Sequence, residues 1–424
     1  MSSLALIQVM RHHILGFSQA PTTNWNIRYL YLEIGFAAIL GAIANFNSAF
    51  AIRLGASNEL IAWLSAAPAL IAAIVSVPSA RFLAKRVNRR AWLFGSLFIV
   101  RAGYGVVALM PLLFPVNTAM WLVLWIVVLN VPAIFFGNGF SALLGELIPE
   151  RRRAFVFSWR SIIYNGGLVI LSALVGAWLD RMPFPNNYQW MYAFGFVMVL
   201  GSNYYLYRLR FPEQRAQSTG QPVVVRQETS VKMTPPMLRM LFNTAVYQFG
   251  LTLPGALFNI FFIQTLKVTD GWLGLNSAAA FAGVIFGYLI WERLLRRHTF
   301  SWAQRRATLL TWVFPLALAV APDLGVIMVF NFIVNAMHSG VDLSNTNVLL
   351  KLTRPEQRTV YISWYNAVVN GSGFVGPLVG VWIAGLAGIV PVLLLSAVLR
   401  FVGGILFNVK PVEVPAAEPV AVTS

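Results

Sequence analysis

Long apolar stretches alternate with short polar connections along nearly the whole chain. A helix that crosses the hydrocarbon core of a bilayer needs about 20 mostly apolar residues, and about twelve stretches meet that requirement. They lie at 29–52, 60–80, 91–113, 118–146, 154–179, 188–208, 237–263, 272–292, 304–321, 325–350, 359–386 and 388–408. The stretch at 304–321 is the weakest, because it is short and contains Pro315. The pattern predicts an all-α polytopic membrane protein with twelve transmembrane helices.

Composition supports this prediction. Of the 424 residues, 58% are hydrophobic and only 11% are charged, against about 25% charged in a soluble domain. A soluble protein this apolar would expose large sticky patches. The chain has no cysteine, which excludes a disulfide framework and a cysteine metal site.

The Lys and Arg residues that give the chain its net charge of +17 lie mostly in alternate connections between spans. Basic residues crowd every second connection, whereas the others hold almost none; three of them have a single basic residue, namely Arg53, Arg181 and Lys267. Because basic loops stay cytoplasmic, both termini are predicted to lie inside the cell. The basic groups are spread over many short loops, which argues against a nucleic-acid partner.

The chain divides into five segments on this pattern. They are a cytoplasmic N-terminal segment at 1–25, a six-helix bundle at 26–209, a polar cytoplasmic linker at 210–235, a second six-helix bundle at 236–410 and a disordered cytoplasmic tail at 411–424. In the first segment Arg11 follows the apolar run, which is not the order of a secretory signal peptide. A helix lying on the membrane surface is the expectation there.

Four local matches relate the two halves at a nearly constant offset. Gly41 to Asn45 in span one corresponds to Gly255 to Asn259 in span seven, and Arg81 after span two corresponds to Arg293 after span eight. Each match is weak by itself, but four in order predict a duplicated six-helix unit.

This six-plus-six arrangement, with a central loop and a basic loop after spans two and eight, resembles the major facilitator superfamily. The resemblance covers about Asn26 to Lys410. It implies two bundles related by a pseudo-two-fold axis and a multi-pass protein of the inner or plasma membrane. It also implies a cavity lined by spans one, four, seven and ten. The chain departs from the family's loop motif, having Arg81 at its glycine and Lys85 at its aspartate.

A cytoplasmic gate is expected at the basic loops, with acidic partners from nearby span ends. The candidate residues are Arg81, Lys85, Arg293, Arg297, Arg358, Glu146, Glu150 and Glu356, and Pro254 is a candidate hinge in span seven.

Span ten carries the clearest chemistry. Five polar residues fall on one helical face at spacings of three and four: Asn331, Asn335, His338, Asp342 and Asn345. Asp342 lies about 13 Å in from Lys351 at about 1.5 Å per residue, and ionisable groups at such depth usually face water or a partner. One hypothesis is a proton site made of Asp342 and His338; the alternative is a static polar pair that helps span ten pack.

The other cavity spans carry uncharged polar groups, which fit either hydrogen bonding to a polar solute or bonding between helices. They are Asn45, Asn47, Asn130, Asn138, Gln248 and Asn259. Arg101 in span three is expected to pair with a carboxylate such as Glu33, the alternative being attraction of an anionic solute. Arg400 in span twelve has the same ambiguity, with Asp342 as a candidate partner.

These features predict a secondary active transporter of a small organic solute that works by alternating access, is coupled to protons and functions as a monomer in the lipid bilayer. Two alternatives stay open: a receptor or assembly partner on the same fold that does not transport, and a lipid-moving protein. The sequence has no phosphate-binding Gly-x-x-x-x-Gly-Lys-Ser/Thr motif and no histidine pair at metal-ligand spacing. Neither an enzyme nor a cofactor is expected.

Overall fold

The computed structural model of the chain describes residues 21–86, 88–210, 233–320, 323–353 and 357–409. The predicted surface helix in segment 1–25, most of the linker and the tail after 410 lie outside these residues. All regular secondary structure in the described part is helical, which confirms the all-α prediction.

Helices α1 to α7 cover the first half. They are α1 Pro21–Ala44, α2 Asn47–Arg53, α3 Asn58–Ala84, α4 Arg89–Leu113, α5 Thr118–Leu147, α6 Glu150–Leu179 and α7 Asn186–Tyr207. Helices α1 and α2 together make the first predicted span. Helix α3 begins at an N-cap in which the Ser57 hydroxyl accepts a hydrogen bond from the Leu60 amide.

Helices α8 to α15 cover the second half. They are α8 Pro235–Thr252, α9 Gly255–Ile260, α10 Asp270–Leu295, α11 Phe300–Thr308, α12 Val313–Val320, α13 Leu324–Leu352, α14 Arg358–Ala387 and α15 Ile389–Val409. A π-helical turn at Phe261–Thr265 extends α9. Helix α13, which carries the polar stripe, begins where the Asp323 carboxylate caps the amides of Gly325 and Val326.

Ten helical segments among the described residues are long and apolar enough to cross a membrane. The remaining two predicted spans correspond to α7 and to the pair α11 and α12. Helix α7 is the right length, at 22 residues, but carries many Asn, Gln and Tyr residues. The predicted span at 304–321 consists of two helices, because the helix breaks between Thr308 and Val313.

The break has a local cause. Proline has no amide hydrogen, so Pro315 leaves the carbonyl of Thr311, four residues earlier, without its helical donor. The Thr308 and Thr311 hydroxyls also bond back to carbonyls three and four residues earlier, which competes with regular helix.

The described residues form two compact units. The first contains the chain up to 223 together with 256–282, and the second contains 224–255 together with the chain from 283. In the first unit, α1 packs against α6 and α7, and α4 packs against α5 and α7. In the second, α8 packs against α14 and α15, and α13 packs against α11.

Large apolar side chains remain exposed along the outside of the spans. Ile74, Leu112 and Trp382 are 61%, 71% and 66% exposed. Contiguous apolar surface of this kind fits contact with lipid tails rather than water.

Candidate functional site

Asp342 and His338 lie one turn apart on α13. The His338 Nε2 atom is 3.9 Å from an Asp342 carboxylate oxygen, and the two side chains are 34% and 56% exposed. The His338 Nδ1 atom is buried and has no hydrogen-bond partner among the described residues. A charged group inside a membrane span is costly unless it faces water or a partner, so this half-open pair is the best candidate for chemistry on the stripe.

Three tyrosines of the second unit interact electrostatically with Asp342. Tyr247 comes from α8, Tyr288 from α10 and Tyr365 from α14. Sequence reasoning missed them, because tyrosine counts as an apolar residue when spans are located.

The rest of the stripe is largely occupied by structural hydrogen bonds. The Asn335 amide donates to the backbone and side-chain oxygens of Asn331, each at 2.8 Å. The Asn345 oxygen accepts from the Gln304 amide of α11 at 2.5 Å. The Gln304 bond ties α13 to α11, whereas the Asn335 bonds stay within α13; of the five stripe residues, only Asp342 is exposed.

Asn47 is bonded at both ends of its amide within the first unit. It donates to the Tyr104 hydroxyl at 3.2 Å and accepts from the Tyr192 hydroxyl at 2.8 Å. Asn45 makes a longer contact of 3.5 Å with the Ser172 hydroxyl. The role of Asn47 is therefore hydrogen bonding between helices, since both ends of its amide are used by α4 and α7.

The four remaining amides of the predicted set differ in their partners. Asn130 donates to the Ile126 carbonyl of its own helix at 2.9 Å, and Asn138 donates to the Ser79 hydroxyl of α3 at 3.1 Å. Gln248 and Asn259 are half-buried on α8 and α9.

A buried charge cluster occupies the first unit. The Glu33 carboxylate lies 3.5 Å from the Arg101 guanidinium and 3.0 Å from that of Arg160. The three side chains are only 5%, 3% and 10% exposed. Ser202 and Asn203 of α7 accept further hydrogen bonds from Arg101. Arg101 therefore pairs with a carboxylate, and sequence analysis overlooked Arg160, whose charge falls within an apolar stretch.

Arg400 holds backbone carbonyls rather than a carboxylate. It is 2% exposed and donates to the carbonyls of Gly250, Leu251 and Thr311 at 3.2 to 3.3 Å. Gly250 and Thr311 stand four residues before Pro254 and Pro315, so both carbonyls lack a helical donor. No ion pair joins Arg400 to Asp342 in the described part of the chain, so the candidate pairing of these two residues is not formed.

The amino-acid sequence matches the model of one known protein family. The model of the Major Facilitator Superfamily matches residues 32–301 and 240–422, which together span most of the chain. The chain belongs to the major facilitator superfamily. This confirms the resemblance drawn from the repeat and the basic loops, and the superfamily is one of transporters rather than enzymes.

Solved structures of superfamily members share the fold. A bacterial homologue of the human lysosomal transporter Spinster, inward-facing and occupied, is 13% identical over 92% of this chain and 97% of its own, with a TM-score of 0.69. The nucleoside transporter NupG is 12% identical over 91% and 99%, with a TM-score of 0.69. A D-xylose-proton symporter is 13% identical over 93% and 97%, with a TM-score of 0.66. No curated protein matches by sequence.

In this member of the superfamily, the start of span eight contacts spans one, five and six. Arg53, at the end of span one, forms an ion pair of 2.9 Å with Asp270, which also accepts from the Tyr188 hydroxyl at 2.7 Å. The Asp180 carboxylate accepts from the Gly271 amide at 3.0 Å. We call these five residues the latch. Sequence analysis treated Arg53 only as a topology marker, although it and Asp270 are isolated charges at span ends.

Glycines let the helices meet beside the latch. A Cβ atom at Gly176 of α6 would lie 2.6 Å from the Asp270 carbonyl and 2.9 Å from the Gly274 Cα atom. Because both are backbone atoms, neither can move aside as a flexible side chain would. Close approach of α6 and α10 therefore depends on the absence of a side chain at Gly176.

The candidate gating residues at the basic loops are exposed to the surface. Arg81, Lys85, Arg293, Arg297, Arg358 and Glu150 are all exposed. No described carboxylate lies within ion-pair distance of Arg81, Lys85, Arg293 or Arg297. An exposed ion pair nearby joins Glu292 to Arg296 at 2.9 Å. The side chain of Glu146, and Glu356 as a whole, lie outside the described residues, so their predicted role stays a prediction.

Pro254 lies where span seven is interrupted. Helix α8 ends at Thr252 and α9 begins at Gly255. The Thr252 hydroxyl bonds to the Ser372 carbonyl of α14 at 2.8 Å, which ties the end of α8 to its neighbour. A break at a proline is a common place for a span to bend.

Proposed function

We propose that the protein is a secondary active transporter of a small organic solute, that it works by alternating access, and that Asp342 and His338 couple transport to protons. Membership of a transporter superfamily supports the first part. The observation that carries the coupling is the His338–Asp342 pair, 3.9 Å apart inside a predicted span with both side chains accessible.

The proposed coupling follows from charge. A proton taken from one side of the membrane forms an O–H bond on the Asp342 carboxylate and makes it neutral. A neutral group lowers the cost of moving this part of span ten between environments, since a charge there costs about 2.5–3.5 kcal/mol. The proton then leaves Asp342 to the opposite side of the membrane, which restores the carboxylate. His338 exchanges this proton with Asp342 when the two side chains come within hydrogen-bond distance.

A small polar solute is the substrate class that the structure favours. Asp342, His338, Tyr288 and Tyr365 offer donors and acceptors in one region of the second unit. Solved neighbours include a nucleoside transporter and a D-xylose-proton symporter, so the same fold accommodates polar solutes and proton coupling.

The proposal places both termini in the cytoplasm of a cell bounded by an inner or plasma membrane. The basic connections then face the cytoplasm, in agreement with the positive-inside rule. The latch lies at the opposite ends of the spans and would close the outer side. The functional unit in this proposal is a monomer in the bilayer.

Thermal stabilisation of the purified protein by a broad solute panel tests the proposal. The panel is run at acidic and neutral pH on wild type, Asp342→Asn and the control Glu292→Gln, which changes an exposed acid of α10. We expect a solute whose stabilising effect depends on pH in wild type and Glu292→Gln but not in Asp342→Asn. A solute that stabilises wild type and both variants equally at both pH values would contradict proton coupling through Asp342. Transport that is not coupled to protons would then be the remaining interpretation.

A further inference from the structure

A groove opens on the surface of α4 and α7 in the first unit. Its volume is about 340 Å³. Its lining is almost wholly apolar and aromatic: Phe94, Phe98, Asn203, Tyr204, Leu206 and Tyr207. Phe98, Tyr204 and Tyr207 are 52%, 51% and 82% exposed, so the groove faces the surroundings of the spans. Such a surface fits hydrocarbon chains better than a water-soluble ligand.

The groove lies near the membrane surface that bears the basic loops. Phe94 is five residues from Arg89, where α4 begins, and Tyr207 is the last residue of α7. Tyrosines at such a position are typical of the interface between lipid tails and headgroups. An occupant with both a polar and an apolar end would therefore have each end at the right depth.

Asn203 supplies a polar group at the base of the groove. Its side-chain oxygen accepts a hydrogen bond from Arg101. Its Nδ2 atom is buried and has no hydrogen-bond partner among the described residues. A buried donor without a partner costs about 1–3 kcal/mol. Rotation of the Asn203 amide toward the groove would bring this donor to an acceptor oxygen of an occupant, and the new bond would be stabilising.

Arg208 supplies positive charge at the rim. Its guanidinium lies 5.2 Å from the centre of the Tyr204 ring, and its Nε atom donates to the Tyr204 hydroxyl at 3.2 Å. Arg208 follows Asn203 by five residues, or about 7 Å along a helix at about 1.5 Å per residue. An ester oxygen at Asn203 and a phosphate near Arg208 would thus belong to one molecule.

We propose that this groove binds an anionic phospholipid from the leaflet next to the basic loops. Its acyl chain lies against Phe94 and Phe98, a glycerol-ester oxygen accepts from Asn203, and its headgroup faces Arg208. Basic residues between spans on this side of a membrane are suited to anionic headgroups. The proposal is independent of transport and of Asp342, so its failure would leave the proposed function intact.

Native mass spectrometry of the full chain, released from micelles that contain equal amounts of phosphatidylglycerol and phosphatidylcholine, tests this site. We expect wild type to retain phosphatidylglycerol preferentially. Arg208→Gln should reduce that preference by about fivefold, the effect of one basic residue near the surface. Phe98→Ala should reduce retention of both lipids, because it removes apolar contact area from the groove and leaves its charge unchanged.

Arg296→Gln is the matched control. It removes an exposed arginine at the end of α10, where the side chain is 74% exposed and pairs with Glu292. This variant should keep the wild-type preference. Equal retention of the two lipids by wild type would overturn the proposal. So would an equal loss of preference in Arg208→Gln and Arg296→Gln, since that result would indicate diffuse surface attraction rather than a site.

Discussion

Arg53 and Asp270 are 217 residues apart in the sequence, yet their side chains form an ion pair of 2.9 Å. Asp270 is 6% exposed and Arg53 27% exposed, so the pair is partly shielded from water. A second bond from Tyr188 shares the same carboxylate oxygen. The start of span eight is thereby tied to spans one and six.

Replacing Arg53 with Gln should loosen the latch. Loss of an ion pair at this depth is expected to shift the closed-to-open balance by about 1 kcal/mol or more, which is a factor of about five. Maleimide labelling of Ser172→Cys measures the change, because Ser172 is 0% exposed beside the latch and the chain has no native cysteine. Unchanged labelling in Arg53→Gln would show that the ion pair does not hold this contact closed.

Gly176→Ala should loosen the same contact for a steric reason. The added methyl group would lie 2.6 Å from the Asp270 carbonyl, so α6 and α10 must separate. We expect faster labelling of Ser172→Cys. Gly166→Ala is the control on the same helix, because a Cβ atom there meets nothing within 4 Å; equal effects of the two substitutions would contradict this interpretation.

Asp342→Asn should separate proton coupling from solute binding. The substitution removes the titratable oxygen while keeping a polar side chain of similar size. In proteoliposomes we expect loss of accumulation driven by a pH gradient, with solute exchange between the two sides retained. Full accumulation in the variant would place coupling elsewhere and return the pair to a structural role.

Arg400→Met should destabilise the second unit. It leaves the Thr311 carbonyl without the Arg400 donor and the Gly250 carbonyl with only the Ser396 hydroxyl, and one buried unpaired polar group costs about 1–3 kcal/mol. Because Met also removes a buried charge, the net loss is expected to be about 2 kcal/mol, seen as a lower melting temperature in detergent.

A double-mutant cycle with Pro254→Ala tests the reason for that loss. An alanine amide at 254 can donate to the Gly250 carbonyl, so Arg400→Met should cost less in the Pro254→Ala background. Strict additivity of the two changes would mean that Arg400 does not compensate for the proline.

Glu33→Gln should be among the most destabilising single changes in the first unit. It leaves Arg101 and Arg160 buried without a negative charge, and breaking a buried ion pair from one side costs about 3–5 kcal/mol. Thermal unfolding in detergent measures it. Glu292→Gln provides the comparison, since its pair with Arg296 is 63% and 74% exposed and should contribute less than about 0.5 kcal/mol.

The sequence by itself determined the spans, their order and the family. A segment can cross the bilayer only if its own length and apolar composition suit the hydrocarbon core. Helices such as Leu324–Leu352 therefore lie within a few residues of their predicted bounds. The polar stripe was visible for the same reason, since His338 and Asp342 share a helical face by their spacing alone. The span predicted at 304–321, the stretch with Pro315, is present as two helices.

Only the tertiary structure decided which polar groups are partners. Glu33 and Arg160 are 127 residues apart, and Arg400 lies 89 residues from Thr311. Such contacts depend on how helices pack, and no periodicity within one helix encodes them. Packing also distinguished Asn345, which is bonded to Gln304, from Asp342 on the same stripe. Side chains that looked equivalent in the sequence differ because their neighbours come from other helices.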